Sequence, residues 1–226
     1  MNVLPDIQKP AASDLAYEHI RRNIVTGVLK EGERITEESL AKNLGLSRTP
    51  VREAISRLLH EGFIERSGGY STRVASFPAD ELDQIFQIRC LLESYAARRA
   101  AQFATDKEIA LLHDLSDTMS AHTPPQSEED YEVISRANEQ FHRTIMEAAR
   151  SPRLMALLSM AVDVGMVVRT YHMYSENDLI RSSRHHHEIA EAIGARAPDW
   201  AAKIMASHIL AAQATVKGPT PAGGSE

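Results

Sequence analysis

Cysteine is almost missing from this chain of 226 residues, which carries one, Cys90. A single thiol excludes an intramolecular disulfide and any C-x-x-C pair for zinc or redox chemistry, so a reducing, cytoplasmic setting is expected. Aromatic residues are scarce at 5 %, while Ala, Leu, Ile and Met abound, a mix that favours helix packing over sheet sandwiches. Met1 to Pro10 lacks the basic start and apolar core of an export signal. The most apolar run, Leu154 to Val168, is broken by Asp163 before it could span a bilayer, so no membrane segment is expected either. No H-E-x-x-H helix occurs, and no internal repeat is visible.

Positive charge is in short supply too, with a formal net charge of −6. That balance argues against a surface that binds nucleic acid everywhere. The deficit is unevenly spread. Residues 1–75 hold 11 Lys+Arg against 10 Asp+Glu, and residues 76–226 hold 14 against 21, so only the first part approaches DNA comfortably. The length suits two domains with separate cores.

The first part reads as helix, helix, turn, helix, hairpin. Ser13 is a candidate N-cap for a helix through Leu15, Ile20, Ile24 and Val25 that Gly27 stops. After a turn at Lys30–Glu33, Thr36 caps a short helix with Leu40, Ala41 and Leu44 on its apolar face, and Gly45 ends it. Thr49 and Pro50 suit the start of a third helix with a stripe of Val51, Ala54, Ile55, Leu58 and Leu59, which leaves Arg48, Arg52 and Ser56 pointing away. Residues 63–66 and 71–75 flank a glycine turn and read as a two-stranded wing. This is the order of a winged helix-turn-helix.

From Pro78 onward strand signals vanish, and helices are predicted near 78–103, 105–121, 126–149, 152–174, 176–195 and 198–216, an antiparallel bundle. The expected organisation is a flexible start (1–12), a winged helix-turn-helix domain (13–76, with the helix-turn-helix at about 36–55), a helical effector domain (78–216) and a disordered tail (217–226), mainly α throughout.

A recognition helix fits the major groove, where an arginine can donate two hydrogen bonds to guanine O6 and N7, and Arg48 and Arg52 suit that role. Thr49 and the N–H groups at the helix start suit a phosphate, while Arg66, Gly68, Gly69 and Arg73 let the wing approach the DNA backbone or minor groove. An isolated pair of arginines would be read as solvated surface charge. Here, however, the stretch Gly27 to Ala54, with its string Leu-Gly-Leu-Ser-Arg-Thr-Pro-Val-Arg-Glu-Ala, closely resembles the GntR family of bacterial regulators. The resemblance implies operator contacts at Arg48, Thr49 and Arg52 and a phosphate contact at Arg34; since one winged helix reads only a short half-site, a homodimer on a palindromic double-stranded operator is expected. Glu38 stands where some members carry another arginine, so the operator sequence does not transfer.

In the second part, Asn138 and His142 lie four residues apart and share a helix face. His186 shares a face with Ile189 and Ile193, and His208 with Ile204 and Met205, so both should point inward. Three imidazoles and an amide oxygen suit zinc or another first-row ion, nickel or manganese among them, with positions left open for an exogenous ligand. Ordinary buried or surface histidines are the plainer alternative. This region resembles the FCD effector domain of the FadR-like branch, through Arg89-x-x-Leu92-Glu93, Asn138-x-x-Phe141-His142, His186-x-x-Ile189-x-x-Ala192-Ile193 and Met205-x-x-His208. The resemblance implies a divalent metal on Asn138, His142, His186 and His208, with Asn138 replacing a frequent aspartate. Its register selects His186 among three consecutive histidines, the neighbours being expected at the surface.

The histidine set also places the chain nearer the branch whose effectors are small organic acids. A carboxylate effector could pair with Arg89, whose simpler role is an i,i+4 salt bridge to Glu93. Arg143 and Arg169 are further candidate partners. The expected function is a regulator that releases DNA when liganded, a repressor and not an enzyme. The rivals are a metal-dependent hydrolase joined to a DNA-binding domain, and a regulator whose metal is purely structural or is itself the sensed signal.

Overall fold

The computed structural model describes residues 11–67, 71–76, 79–161 and 173–217. They form nine helices and one three-stranded sheet, divided between two compact units, Met1–Ser76 and Phe77–Glu226.

In the first unit, α1 (Ala12–Val25) buries Ala16, Tyr17, Ile20, Arg21 and Ile24. The helix begins at Ala12 with Ala11 as its N-cap, so Ser13 is not the cap and Ala12 is not part of a flexible start. Leu15, expected inside, is 52 % exposed, because the buried stripe runs one position further round through Ala16 and Tyr17. Gly27, at φ 73°, takes the left-handed turn after the helix.

Strand β1 (Arg34–Ile35) follows, where the sequence signalled only a turn. Two residues are too few for an alternating pattern to register. The strand exists because β3 supplies its partners, with Arg34 opposite Arg73 and Ile35 opposite Thr72. The sheet order is β1-β3-β2, all antiparallel, with β2 at Ile64–Ser67 and β3 at Ser71–Val74.

Helix α2 (Glu37–Leu44) starts where the Thr36 side chain accepts from Ser39 N, and ends at Gly45 in the left-handed conformation. Helix α3 (Arg48–His60) buries Val51, Ala54, Ile55 and Leu58. Its N-cap is Ser47, without a side-chain cap bond, so Thr49 lies inside the first turn and does not cap it. Ile20, Val51, Leu58 and Phe63, all at 0 % exposure, form the centre of this core.

The second unit is helical throughout its described residues: α4 (Ala79–Phe103), α5 (Asp106–Ala121), α6 (Glu128–Ala148), α7 (Pro152–Ala161), α8 (Glu176–Gly194) and α9 (Pro198–Lys217). Capping boxes on Thr105/Glu108 and Ser175/Asp178 start α5 and α8, and Ser127 caps α6. The most extensive helix pairing is α4 with α9. Ala96, Ala97, Ala100 and Ala101 on α4 and Ala201 on α9 are fully buried, and side chains this small let two helix backbones approach closely.

Two boundaries differ from expectation. Lys217 still belongs to α9, one residue into the expected tail, and Met173 and Tyr174 lie outside any helix. The rest of the predicted 152–174 helix beyond Ala161, with Arg169, lies outside the described residues, as do 218–226.

Candidate functional site

Two sets of side chains carry chemistry, one in each unit. In the first, Arg48 opens α3 and Arg52 follows one turn later, so both project from the face opposite the buried stripe. Their side chains are 64 % and 65 % exposed. Thr49 is exposed between them, and with no side-chain cap on Ser47 the first N–H groups of α3 suit a phosphate. Arg34 and Arg66 are exposed on β1 and β2. Arg73 is half-buried and donates Nη1 to the Gly32 carbonyl at 2.9 Å, bracing the turn before β1. Gly68 and Gly69 lie outside the described residues.

Glu37, at the start of α2, bonds Arg52 through both carboxylate oxygens and approaches Arg48. Sequence reading missed this contact. Residues fifteen apart on two helices carry no periodic signal of their meeting.

In the second unit, His142 on α6, His186 on α8 and His208 on α9 converge, each with a ring nitrogen within 4.8 Å of the others'. Ring centroids are 5.7 Å apart for His142 and His186, 5.3 Å for His142 and His208, and 4.5 Å for His186 and His208. His186 is 1 % exposed and His208 5 %. Asn138 is buried one turn before His142 on α6.

The apolar residues around the histidines place them. Phe141 stands edge-on to His186 at 4.9 Å, and Ile189, Met205 and Ile209 are fully buried on the same helices. Burial, then the positive potential of the neighbouring histidines, pushes the His186 and His208 imidazoles well below their usual range. Both therefore stay neutral, with lone pairs available.

His142 Nε2 and His208 Nδ1 are buried without a hydrogen-bond partner, and the buried ring of His186 meets only the Ser182 backbone. Orphaned buried nitrogens are costly. One nitrogen from each of three imidazoles, all within 4.8 Å of one another in an apolar surround, is a donor set that fits a divalent metal.

The other nitrogen of His142 is not orphaned. Nδ1 meets Glu93 Oε2 at 2.5 Å, and Glu93 Oε1 accepts from Arg89 Nε at 2.8 Å. Burial alone would raise the Glu93 carboxyl, but the charge of Arg89 and the hydrogen bonds from His142 and Arg89 outweigh it and hold it at about 2. Arg89, the candidate effector partner, is thus 4 % exposed and engaged with Glu93.

His185 corrects a second expectation. It is half-buried, its Nδ1 is shut off from solvent without a partner, and it lines a narrow recess with Tyr174, Arg181 and His208. The stripe led by His186 is wide enough to draw in its neighbour. Arg143 lies at the surface near Glu139, at 3.9 Å.

Comparison with known proteins matches both units. Residues 12–74 fit the model of bacterial regulatory proteins of the gntR family, and residues 84–211 fit the FCD domain. Among curated relatives, an uncharacterized HTH-type transcriptional regulator of Bacillus subtilis, YdhC, is 29 % identical over 85 % of this chain and 85 % of its own. The HTH-type transcriptional repressor NanR of Salmonella schwarzengrund is 28 % identical over 90 % and 83 %. Among solved structures, E. coli McbR/YncC superposes with a TM-score of 0.66 at 22 % identity, covering 89 % of this chain and 95 % of that one. That likeness shows the fold.

Proposed function

Because this chain belongs to the gntR family of bacterial regulatory proteins, with an FCD domain following its DNA-binding domain, we propose that it is a metal-dependent repressor released from its operator by a small carboxylate. That it is a DNA-binding transcription regulator and not an enzyme follows from the family. The name of the repressor relative supports the sign of the response.

The observation that carries the effector reading is the set of unpartnered, buried imidazole nitrogens on His142, His186 and His208. With Asn138 they would hold one divalent ion, zinc by preference, with nickel or manganese as alternatives. Such an ion supplies a positive centre to which a carboxylate can bind. The protein's own part is to orient the donors. Glu93 accepts a hydrogen bond from His142 Nδ1–H, which turns the Nε2 lone pair toward the other two histidines. Arg89 keeps Glu93 charged, and the apolar wall of Phe141, Ile189 and Met205 excludes water. No general base is assigned among the described residues near the cluster, and the proposed role of the ion is to bind the effector.

On the DNA side, Arg48, Thr49 and Arg52 would read the major groove, Arg34 would meet phosphate, and Arg66, Arg73, Gly68 and Gly69 would form the wing's approach. One such domain reads a short half-site, so a homodimer on a palindromic operator is part of the proposal. The effector unit offers a surface for it. Ile88, Leu91 and Tyr95 share one face of α4 and are 40, 73 and 51 % exposed, and α7, which packs on α4, adds Leu157 and Met160 at 55 and 86 %. An apolar face of this kind marks an interaction site.

The test is elemental analysis and native mass spectrometry of purified protein, followed by operator release against a panel of small organic acids. One first-row metal per chain and release by a carboxylate are expected. Metal-free protein that responds fully would refute the coordination reading, and turnover of an acid would restore the hydrolase alternative.

A further inference from the structure

Glu37 stands between the two arginines that α3 presents to solvent. Its Oε1 and Oε2 accept from Arg52 Nε at 3.1 and 3.3 Å, and Oε2 accepts from Arg52 Nη2 at 3.0 Å. Arg48 Nη2 lies 3.6 Å from the same Oε2. One carboxylate therefore serves both cations. The carboxylate is 28 % exposed against about two-thirds for each arginine, so the guanidinium groups, not Glu37, face outward.

A guanidinium has a side-on fork, Nε–H with Nη2–H, and an end-on fork, Nη1–H with Nη2–H. Glu37 fills the side-on fork of Arg52. The end-on fork remains, and two parallel donors match the O6 and N7 acceptors of guanine. Holding a long side chain in one rotamer before contact removes part of the ordering cost of binding. Meanwhile a carboxylate beside both arginines opposes a phosphate at the same place, so a sequence-independent contact is disfavoured.

We propose that Glu37 is a positioning residue that sets operator selectivity: by closing the side-on fork of Arg52 and drawing Arg48 alongside, it commits the recognition helix to reading guanine through the end-on fork. The inference rests on α3 being the DNA-reading helix. It adds that a residue of α2, outside the recognition helix, governs discrimination more than affinity.

The probe is a duplex recovered by the wild-type protein from a randomised library, compared with a scrambled duplex of equal length and composition at matched salt. Glu37→Gln should lower the ratio of the two affinities about tenfold, the scale of one bidentate base contact, and should relax the preference at one base pair on reselection. The control is Glu18→Gln, which removes the same charge from an exposed side chain of α1 in the same unit. It should move both affinities together and leave the ratio unchanged. In an Arg52→Ala background, Glu37→Gln should change the ratio no further.

If Glu37→Gln behaves like Glu18→Gln, or lowers the ratio equally without Arg52, the proposal is overturned. Glu37→Asp keeps the charge but withdraws the carboxylate. It should reproduce the loss, and it decides the matter if Glu37→Gln does not fold. Arg52→Ala with wild-type affinity and selectivity would instead remove the reading of α3 itself. Weak Arg52→Ala binding beside an unchanged Glu37→Gln ratio would remove only the role of Glu37.

Discussion

Glu93 Oε2 and His142 Nδ1 lie 2.5 Å apart between α4 and α6, and this contact decides which imidazole nitrogen faces the histidine cluster. A carboxylate that accepts a hydrogen bond from Nδ1–H fixes the tautomer and makes Nε2 the better metal ligand. Glu93→Gln should therefore weaken metal binding by about 10- to 100-fold, read by competition with a chromogenic chelator. It also leaves Arg89 buried without its counter-charge, so the melting temperature of metal-free protein should fall as well. Unchanged affinity would mean that packing alone orients His142.

Acid should destabilise the metal-free protein in two steps. His186 and His208 are held neutral in the fold, while in the unfolded chain they take up protons below about 6.5. The unfolded state thus binds more protons as pH falls through that value, and stability should drop on the order of 1 kcal/mol per pH unit for each histidine. Glu93 has the opposite charge but the same direction. Its folded pKa of about 2 lies below the ordinary 4.5, so its contribution is present above 4.5 and lost on approach to 2. Chemical denaturation between pH 8 and pH 3 checks both windows, and a profile flat from pH 7 to pH 5 would mean that the two histidines are charged in the fold.

His142→Ala and His208→Ala should each lose the metal and the response to effector while keeping basal operator binding, because the histidines and the DNA-facing arginines belong to separate compact units. Elemental analysis paired with a gel-shift titration on the same preparations reads both properties. Loss of basal binding along with the metal would make the ion a structural element of the regulator.

Arg48→Ala and Arg52→Ala should each weaken operator binding about tenfold or more by removing a base contact. Metal content and effector-unit stability should stay unchanged, since neither arginine belongs to that unit. Operator affinity equal to wild type in both variants at matched salt would show that α3 is not the reading helix.

Leu91, 73 % exposed at the centre of the apolar face of α4, should be covered by a second copy. Leu91→Glu would place a charge in that contact and is expected to shift the protein from dimer to monomer in sedimentation velocity at micromolar concentration. A wild-type protein that sediments as a monomer with and without DNA would rule out the homodimer.

Much of this was legible in sequence because it is local. Helix period, the Thr36 cap and Gly45 each act within a few residues, and they located α2 and α3 closely. Likewise, the apolar neighbours of His186 and His208 assigned both histidines to buried faces from spacing alone. Local signals placed the ends of α6 and α8 within one residue but not how the chain leaves them: the left-handed residues that follow are Arg150 and Arg196, with φ of 51° and 55°, not glycine. There, long-range bonds from Arg150 to Glu108 and from Arg196 to the Ala104 carbonyl help hold a turn that the side chain disfavours.

Sequence by itself determined most of the buried positions, the face that most helices hide and the string that reads as a DNA-binding motif, because periodicity and capping depend only on neighbours along the chain; Leu15 and His185 are the exceptions. Which atoms meet was decided by the tertiary structure. Glu93 reaches His142 across 49 positions, Glu37 reaches Arg52 across fifteen, and three helices must settle at one rotation and height before three imidazoles share a point. The physical reason is that an amphipathic pattern specifies that a face is covered, but not by what. A buried charge such as Glu93 is tolerated only when packing brings its partners, and that condition belongs to the assembled core.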